Sequence, residues 1–213
     1  MIAVIAGASG LVGSQILSGL IADPEISQIV ALVRKPLASQ HPKIKLVLES
    51  NFSNLSRHSQ ELKGDLYFCA LGSTIKSAGS QMNFRKVDYE AVVNFGILAE
   101  SFGARSLVVI SAKGADANSR FFYNRVKGDT ELKLKSLKLK RLVIFQPGLL
   151  IGERTEVRKG EKLAITLSSK IQKILPTSVM NSFSTNVAHL AKRVIAESKK
   201  PGPQLEIIEA ANI

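Results

Sequence analysis

The stretch Ile2-Ala3-Val4-Ile5-Ala6-Gly7-Ala8-Ser9-Gly10-Leu11-Val12-Gly13 decides how the rest of the chain is read. Its first five residues are an unbroken apolar run, short enough for a strand buried on both faces. Beyond the glycines, Val12, Ile16, Leu17, Leu20 and Ile21 recur with the spacing of one helix face. A strand, a glycine-rich turn and a helix in that order build an anion site. The helix start offers unpaired N–H groups and a partial positive charge, and glycines let a pyrophosphate come close to the backbone. The glycine spacing is GxxGxxG rather than the commoner GxGxxG. In this setting it predicts dinucleotide binding through Gly7, Ser9, Gly10, Leu11, Val12 and Gly13.

Apolar runs and helical stripes go on alternating. Strands are predicted at 29–33, 44–48, 65–70, 106–110, 142–145 and 205–208, and helices at 54–62, 81–102, 118–136 and 186–198. The fold class this implies is α/β, a Rossmann-like doubly wound parallel sheet. All 213 residues are expected to form one such domain, with 152–185 as a small C-terminal lid on the substrate side. In that lid Leu163, Leu167, Ile171 and Ile174 make a stripe that Pro176 ends. Arg154, beside Glu153, reads as an anion contact or, more simply, as a surface ion pair.

Composition narrows the function. A hydrophobic fraction of 45% supports a large core and argues against disorder. Cys69 is the single cysteine, which rules out an intrachain disulfide and suits a reducing compartment, so a cytoplasmic location is expected. The apolar N-terminus lacks the basic region of an export signal, and no stretch reaches the roughly 18 apolar residues of a membrane span. The net charge of +12 is dispersed, densest at Lys133, Lys135, Lys138, Lys140 and Arg141. No aromatic residue interleaves there, so a solvated face is expected rather than a specific nucleic-acid surface. No histidine or cysteine cluster suggests a metal.

Several residues then stand out. Arg34 and Lys35 follow the second strand, where a carboxylate would take the adenosine 2′-hydroxyl and an arginine a 2′-phosphate. No Asp or Glu lies between Glu25 and Glu49, so the cofactor expected is NADPH. Asn51 and Phe52 follow the third strand and are placed beside the adenine or in a simple turn. Leu71, Gly72 and Ser73 follow the fourth, with Gly72 letting the loop pass close to the cofactor. Asp88 shares a helix face with Phe84 and Ala91, and wants either an active-site hydroxyl or a route to solvent. Ser111 ends the fifth strand. Tyr123 and Lys127 lie one helical turn apart, where an ammonium favours the phenolate and brings proton exchange within reach.

GxxGxxG, Ser111 and Tyr123-xxx-Lys127 resemble the short-chain dehydrogenase/reductase superfamily in its extended and atypical branches. The segments 111–116, 123–128 and 145–150 look like the atypical reductases named after a human Tat-interacting protein. The resemblance implies an NADPH-binding Rossmann-like domain with Tyr123 as proton donor or acceptor. It further implies that Lys127 bonds the nicotinamide ribose, and that Pro147 and Gly148 lie against the nicotinamide through the backbone of Leu149 and Leu150. Three departures are evident: Ala112 replaces a second serine, Asp88 stands where asparagine is usual, and Gln146 where arginine is common. The reaction expected is hydride transfer to a carbonyl of a small substrate. Alternatives are a non-catalytic NADPH-sensing protein-binding module, and a sugar-nucleotide epimerase or dehydratase. The helices at 81–102 and 118–136 are candidates for pairing in a homodimer, as is common in that superfamily.

Overall fold

The computed structural model describes residues 1–38, 40–52, 55–151 and 184–213. The expected lid therefore lies outside the described residues, apart from its last two positions. Strands β1 (Ile2–Ala6), β2 (Gln28–Val33), β3 (Ile44–Leu48), β4 (Leu66–Cys69), β5 (Ser106–Ile110), β6 (Leu142–Gln146) and β9 (Leu205–Glu209) form one sheet. Its order is β3-β2-β1-β4-β5-β6-β9 and every pairing is parallel. The order reverses between β1 and β4, and open sheets of this kind bind ligands in the crevice that such a reversal leaves at the strands' carboxyl ends. This is the Rossmann-like α/β fold.

Alternate residues of the inner strands feed opposite cores, which is why those runs are largely apolar, whereas the edge strands β3 and β9 carry Lys45, Glu206 and Glu209. Ala3 and Ile5 pack with Ile16, Leu20, Phe145, Leu190 and Val194 on one face. Val4 and Ala6 pack with Tyr67, Phe95, Leu107, Leu134 and Ile144 on the other. The first face is covered by α1 (Leu11–Ala22) and α6 (Val187–Lys199), the second by α4 (Val92–Ser101) and α5 (Phe122–Lys135). Each large side chain so buried contributes about 1.5–3 kcal/mol relative to exposure.

Four local features differ from the periodicity. The single helix read over 81–102 is α3 (Gln81–Arg85), a π-helical turn (Lys86–Ala91) and α4, preceded by a short α2 (Ile75–Ala78). The wider turn seats Asp88 in the interior, and the Thr130 hydroxyl lies 2.9 Å from the Asp88 carbonyl oxygen. The helix read over 54–62 is one 3-10 turn at Ser56–His58, and the next helix begins at Phe122 rather than Asn118. Leu149–Ile151 is a strand, β7, paired in parallel with β8 (Ser184–Asn186) in a separate ribbon. No described helix is long and apolar enough to cross a membrane.

Candidate functional site

Gly7 has φ +86°, and a Cβ there would sit 2.5 Å from the Ala70 carbonyl oxygen, so β1 and β4 can part around the loop only with glycine. A Cβ on Gly13 would fall 2.0 Å from the Gly7 carbonyl oxygen, so the start of α1 is seated directly against the turn. Gly10 caps α1 without a side chain, and the first helical bond runs from Ser14 N–H to the Gly10 carbonyl at 2.9 Å. The first-turn N–H groups therefore have no side-chain cap, the arrangement that receives an anion.

Above this turn lies a cleft of about 250 Å³. It brings together Gly7, Ser9 and Gly10 with Arg34, Asn51, Phe52, Leu71 and Gly72, all singled out from the sequence. Lys86, Val87 and Ala91 join them from the π-helical turn, unforeseen because that turn leaves no periodic trace. No acidic side chain lines the cleft, and neither Arg34 nor Lys86 has an ion-pair partner among the described residues. Lys35, though exposed, is not part of the wall. A larger hollow of about 470 Å³ lies at the opposite end of the sheet beside Ile2, Lys45, Gly64 and Arg105. Parallel open sheets bind at their carboxyl ends, so the smaller cleft is the candidate.

The loop carrying Asn51 and Phe52 is pinned by Glu49, a buried carboxylate just past β3. It accepts from the Asn51 N–H at 2.7 Å, from Arg57 Nε at 2.7 Å and from His58 Nε2 at 3.1 Å. Those bonds, the Asn51 N–H first and Arg57 next, hold its carboxyl down to about 2. Asn94 Nδ2 donates to the Phe52 carbonyl from α4 at 3.0 Å. His58 thus belongs to this clamp.

Below Gly72 sits a buried ion pair. Asp88 is fully buried, and its Oδ1 lies 2.8 Å from Lys127 Nζ. The contact is Coulombic first, with a side-chain hydrogen bond between the two groups beside it. Asp88 Oδ2 accepts from the Ser73 N–H at 2.9 Å and the Ser73 hydroxyl at 2.6 Å. Asp88 is fully buried and so does not reach solvent, a correction to that reading of it. Ser73 likewise faces the carboxylate and does not line the cleft, because Asp88 takes both its donors. Burial opposes the Lys127 charge, but attraction to Asp88, then to Tyr123, outweighs it and raises its pKa above 10.5. A Cβ on Gly72 would lie 3.5 Å from Asp88 Oδ1 and 3.7 Å from Lys127 Nζ, which puts this pair next to the cleft.

Tyr123 is half-buried, its ring 5.5 Å from that of Phe84, and no described residue bonds its hydroxyl. Ser111 stands at the carboxyl end of β5, its N–H on the Phe145 carbonyl at 2.7 Å. Its hydroxyl donates to Glu131 Oε1 at 2.5 Å, a partner not foreseen from the sequence. Pro147 accepts from the Lys113 N–H, Gly148 donates to Thr185 Oγ1, and Leu149 and Leu150 lie in β7. Pro147 to Leu150 lie beyond the enclosed cleft, as do Ser111, Tyr123 and Lys127. Leu11, Val12 and Gly13 sit in the first turn of α1, Val12 and Gly13 buried. Burial pushes the Cys69 thiol up to about 12, which leaves it unreactive.

No family model matches the chain. It is 32% identical to Protein HTATIP2 of Rattus norvegicus over 209 residues, covering 96% of this chain and 84% of that one. It belongs to the HTATIP2/FMP52 family. Within that family it is also 37% identical over 170 residues to the Candida albicans protein FMP52, mitochondrial, covering 78% of this chain and 74% of that one. Among solved structures, MoeE5 in complex with UDP-glucuronic acid and NAD superimposes with TM-score 0.75 at 13% identity, over 99% of this chain and 76% of that one. The Thermus thermophilus UDP-glucose 4-epimerase in complex with NAD does so with TM-score 0.71 at 16% identity, over 99% and 77%. These likenesses show the Rossmann-like fold. The family corrects one expectation. Its fungal members are named as mitochondrial proteins, which overturns the cytoplasmic location. A single cysteine cannot form an intrachain disulfide in any compartment, so it carries no address.

Proposed function

We propose that the chain is an NADPH-dependent oxidoreductase of the short-chain type, acting on a carbonyl of a small molecule. The observation that carries this reading is the adjacency of two features. A cleft with two cations unpaired among the described residues, and no acid among its described lining, ends beside a buried Lys127–Asp88 pair, and Tyr123 lies one helical turn from Lys127. The residues present fit a dinucleotide bearing an extra phosphate. Gly7, Gly10 and the start of α1 would hold the pyrophosphate, Asn51 and Phe52 the adenosine end, and Arg34 the 2′-phosphate.

When bound, the cofactor supplies the hydride; the chain's own side chains manage the proton. Tyr123 holds a proton on its hydroxyl for the carbonyl oxygen. Lys127, kept charged by Asp88, lowers the cost of the phenolate left behind. Ser73 and the π-helical turn keep Asp88 in place, so that Lys127 is held from below rather than left mobile.

The test is NADPH oxidation at 340 nm over a panel of aldehydes, ketones and quinones, with wild type and Tyr123→Phe. Loss of a general acid is expected to cut turnover by about a hundredfold or more, with NADPH affinity unchanged. Equal turnover by the two proteins contradicts the mechanism, and binding without turnover of any carbonyl favours the sensing module instead.

A further inference from the structure

Lys86 opens the π-helical turn, and its exposed side chain lines the cleft together with Val87 and Ala91. The turn that carries it is anchored. Two residues on, Asp88 is tied to Lys127 at 2.8 Å, and the Asp88 carbonyl oxygen accepts from the Thr130 hydroxyl at 2.9 Å. The Lys86 N–H is taken up by carbonyl oxygens of α3, that of Asn83 among them. The ammonium forms no ion pair with a described residue, and no described residue of the cleft wall is acidic. Its charge therefore meets the cleft uncompensated. Sheet order says where along the cleft it stands. In the order β2-β1-β4, Arg34 follows β2, the glycine turn follows β1, and Leu71 and Gly72 follow β4. Asp88 Oδ1 lies 3.5 Å from where a Gly72 Cβ would be, so the π-helical turn sits over the end of β4. Lys86 and Arg34 thus flank the glycine turn from opposite sides.

We infer that Lys86 is a binding residue for the pyrophosphate of the dinucleotide, closing over the anion that the glycine turn receives, and that it holds NADPH and NADH alike. A dinucleotide pyrophosphate carries a negative charge on each phosphate, and one helix end offsets only about half of an elementary charge. A lysine adds a full charge on a flexible stem with three donors, which suits a group otherwise held by backbone N–H alone. The 2′-phosphate falls to Arg34 on the other side of the turn. The two cations therefore divide the cofactor between them: Arg34 selects, and Lys86 does not. The inference rests on the dinucleotide reading of the cleft and is independent of the chemistry at Tyr123.

The test is calorimetric titration of wild type, Lys86→Ala, Lys86→Arg and Arg34→Ala with two fragments of the cofactor. ADP has the diphosphate and no 2′-phosphate; adenosine 2′-monophosphate has the reverse. Lys86→Ala is expected to weaken ADP by about tenfold, as for the loss of one charge-assisted bond. Adenosine 2′-monophosphate is expected to weaken by less than about twofold at physiological salt, where charges are screened beyond about 8 Å. Arg34→Ala is expected to give the opposite pair of results. Lys86→Arg is expected to keep ADP within about threefold of wild type, because the charge is retained. NADPH and NADH are expected to weaken by the same factor in Lys86→Ala. Its urea midpoint is expected to stay at the wild-type value, since the side chain is exposed and unpaired among the described residues. Unchanged ADP affinity in Lys86→Ala, or a loss confined to adenosine 2′-monophosphate, overturns the proposal. If wild type binds NADPH and NADH and Lys86→Ala binds both as tightly, this proposal alone fails; if wild type binds neither, the dinucleotide reading fails with it.

Discussion

Lys127 Nζ lies 2.8 Å from Asp88 Oδ1, with Asp88 fully buried and Lys127 nearly so. The helix carrying the tyrosine–lysine pair is thereby tied to the π-helical turn that walls the cleft. Removing one partner of such a pair leaves a charge buried without compensation, which costs far more than removing both. Lys127→Met is expected to destabilise the fold by about 3–5 kcal/mol, and Lys127→Met with Asp88→Asn to recover most of that loss. Urea denaturation of the two variants measures it; equal losses would mean that the pair is not coupled in the folded state.

Arg34 follows β2 at the rim of the cleft and has no carboxylate to neutralise it among the described residues. Arg34→Ala is expected to weaken NADPH by about 10- to 100-fold, the worth of a charge-assisted bond to phosphate, and NADH by less than about threefold. Matched losses would take the choice of cofactor away from Arg34.

Gly13 admits no side chain, because the atom next to its missing Cβ is the Gly7 carbonyl oxygen rather than a flexible side-chain tip. Gly13→Ala is expected to cost at least the 1–3 kcal/mol typical of overpacking, about 3 kcal/mol where backbone must move, and to abolish nucleotide binding. A variant that unfolds at the wild-type urea midpoint and still binds NADPH would contradict the close seating of α1.

Glu49 gives the fold an acid limit. Its carboxyl is held at about 2 against an ordinary 4.5, so the unfolded chain binds that proton more readily than the folded one. The support is complete above pH 4.5 and is lost as pH falls from 4.5 towards about 2. In Glu49→Gln the fall in stability across that window is expected to be shallower than in wild type, measured as the urea midpoint at each pH. Parallel profiles would show that Glu49 titrates alike in both states.

Much of this is legible in the sequence. Ile2–Ala6 keeps the bounds assigned from its apolar run, because a strand covered on both faces must be apolar without a break; Ile44–Leu48 keeps its bounds as the sheet's edge strand, with Lys45 and Leu48 exposed. The glycine turn, Arg34, Asn51, Phe52 and Gly72 converge on one cleft because the fold brings successive strand ends together there. Less local features were hidden. A π-helical turn is a slip of hydrogen bonds that six residues of pattern do not betray, so the Lys127 and Ser73 partners of Asp88 leave no local sign in the sequence. β7 pairs with a segment far along the chain, which no local pattern announces. Glu131 left one usable sign: Tyr123, Lys127, Glu131 and Lys135 recur every fourth residue, yet a glutamate in a helix ordinarily reads as solvent-facing.

The most direct measurement is a fluorescence titration of the wild-type protein with NADPH and, separately, with NADH. The account predicts saturable one-site binding of both, with NADPH tighter by about tenfold or more from its extra phosphate on Arg34. Absence of saturable binding by either nucleotide would contradict it.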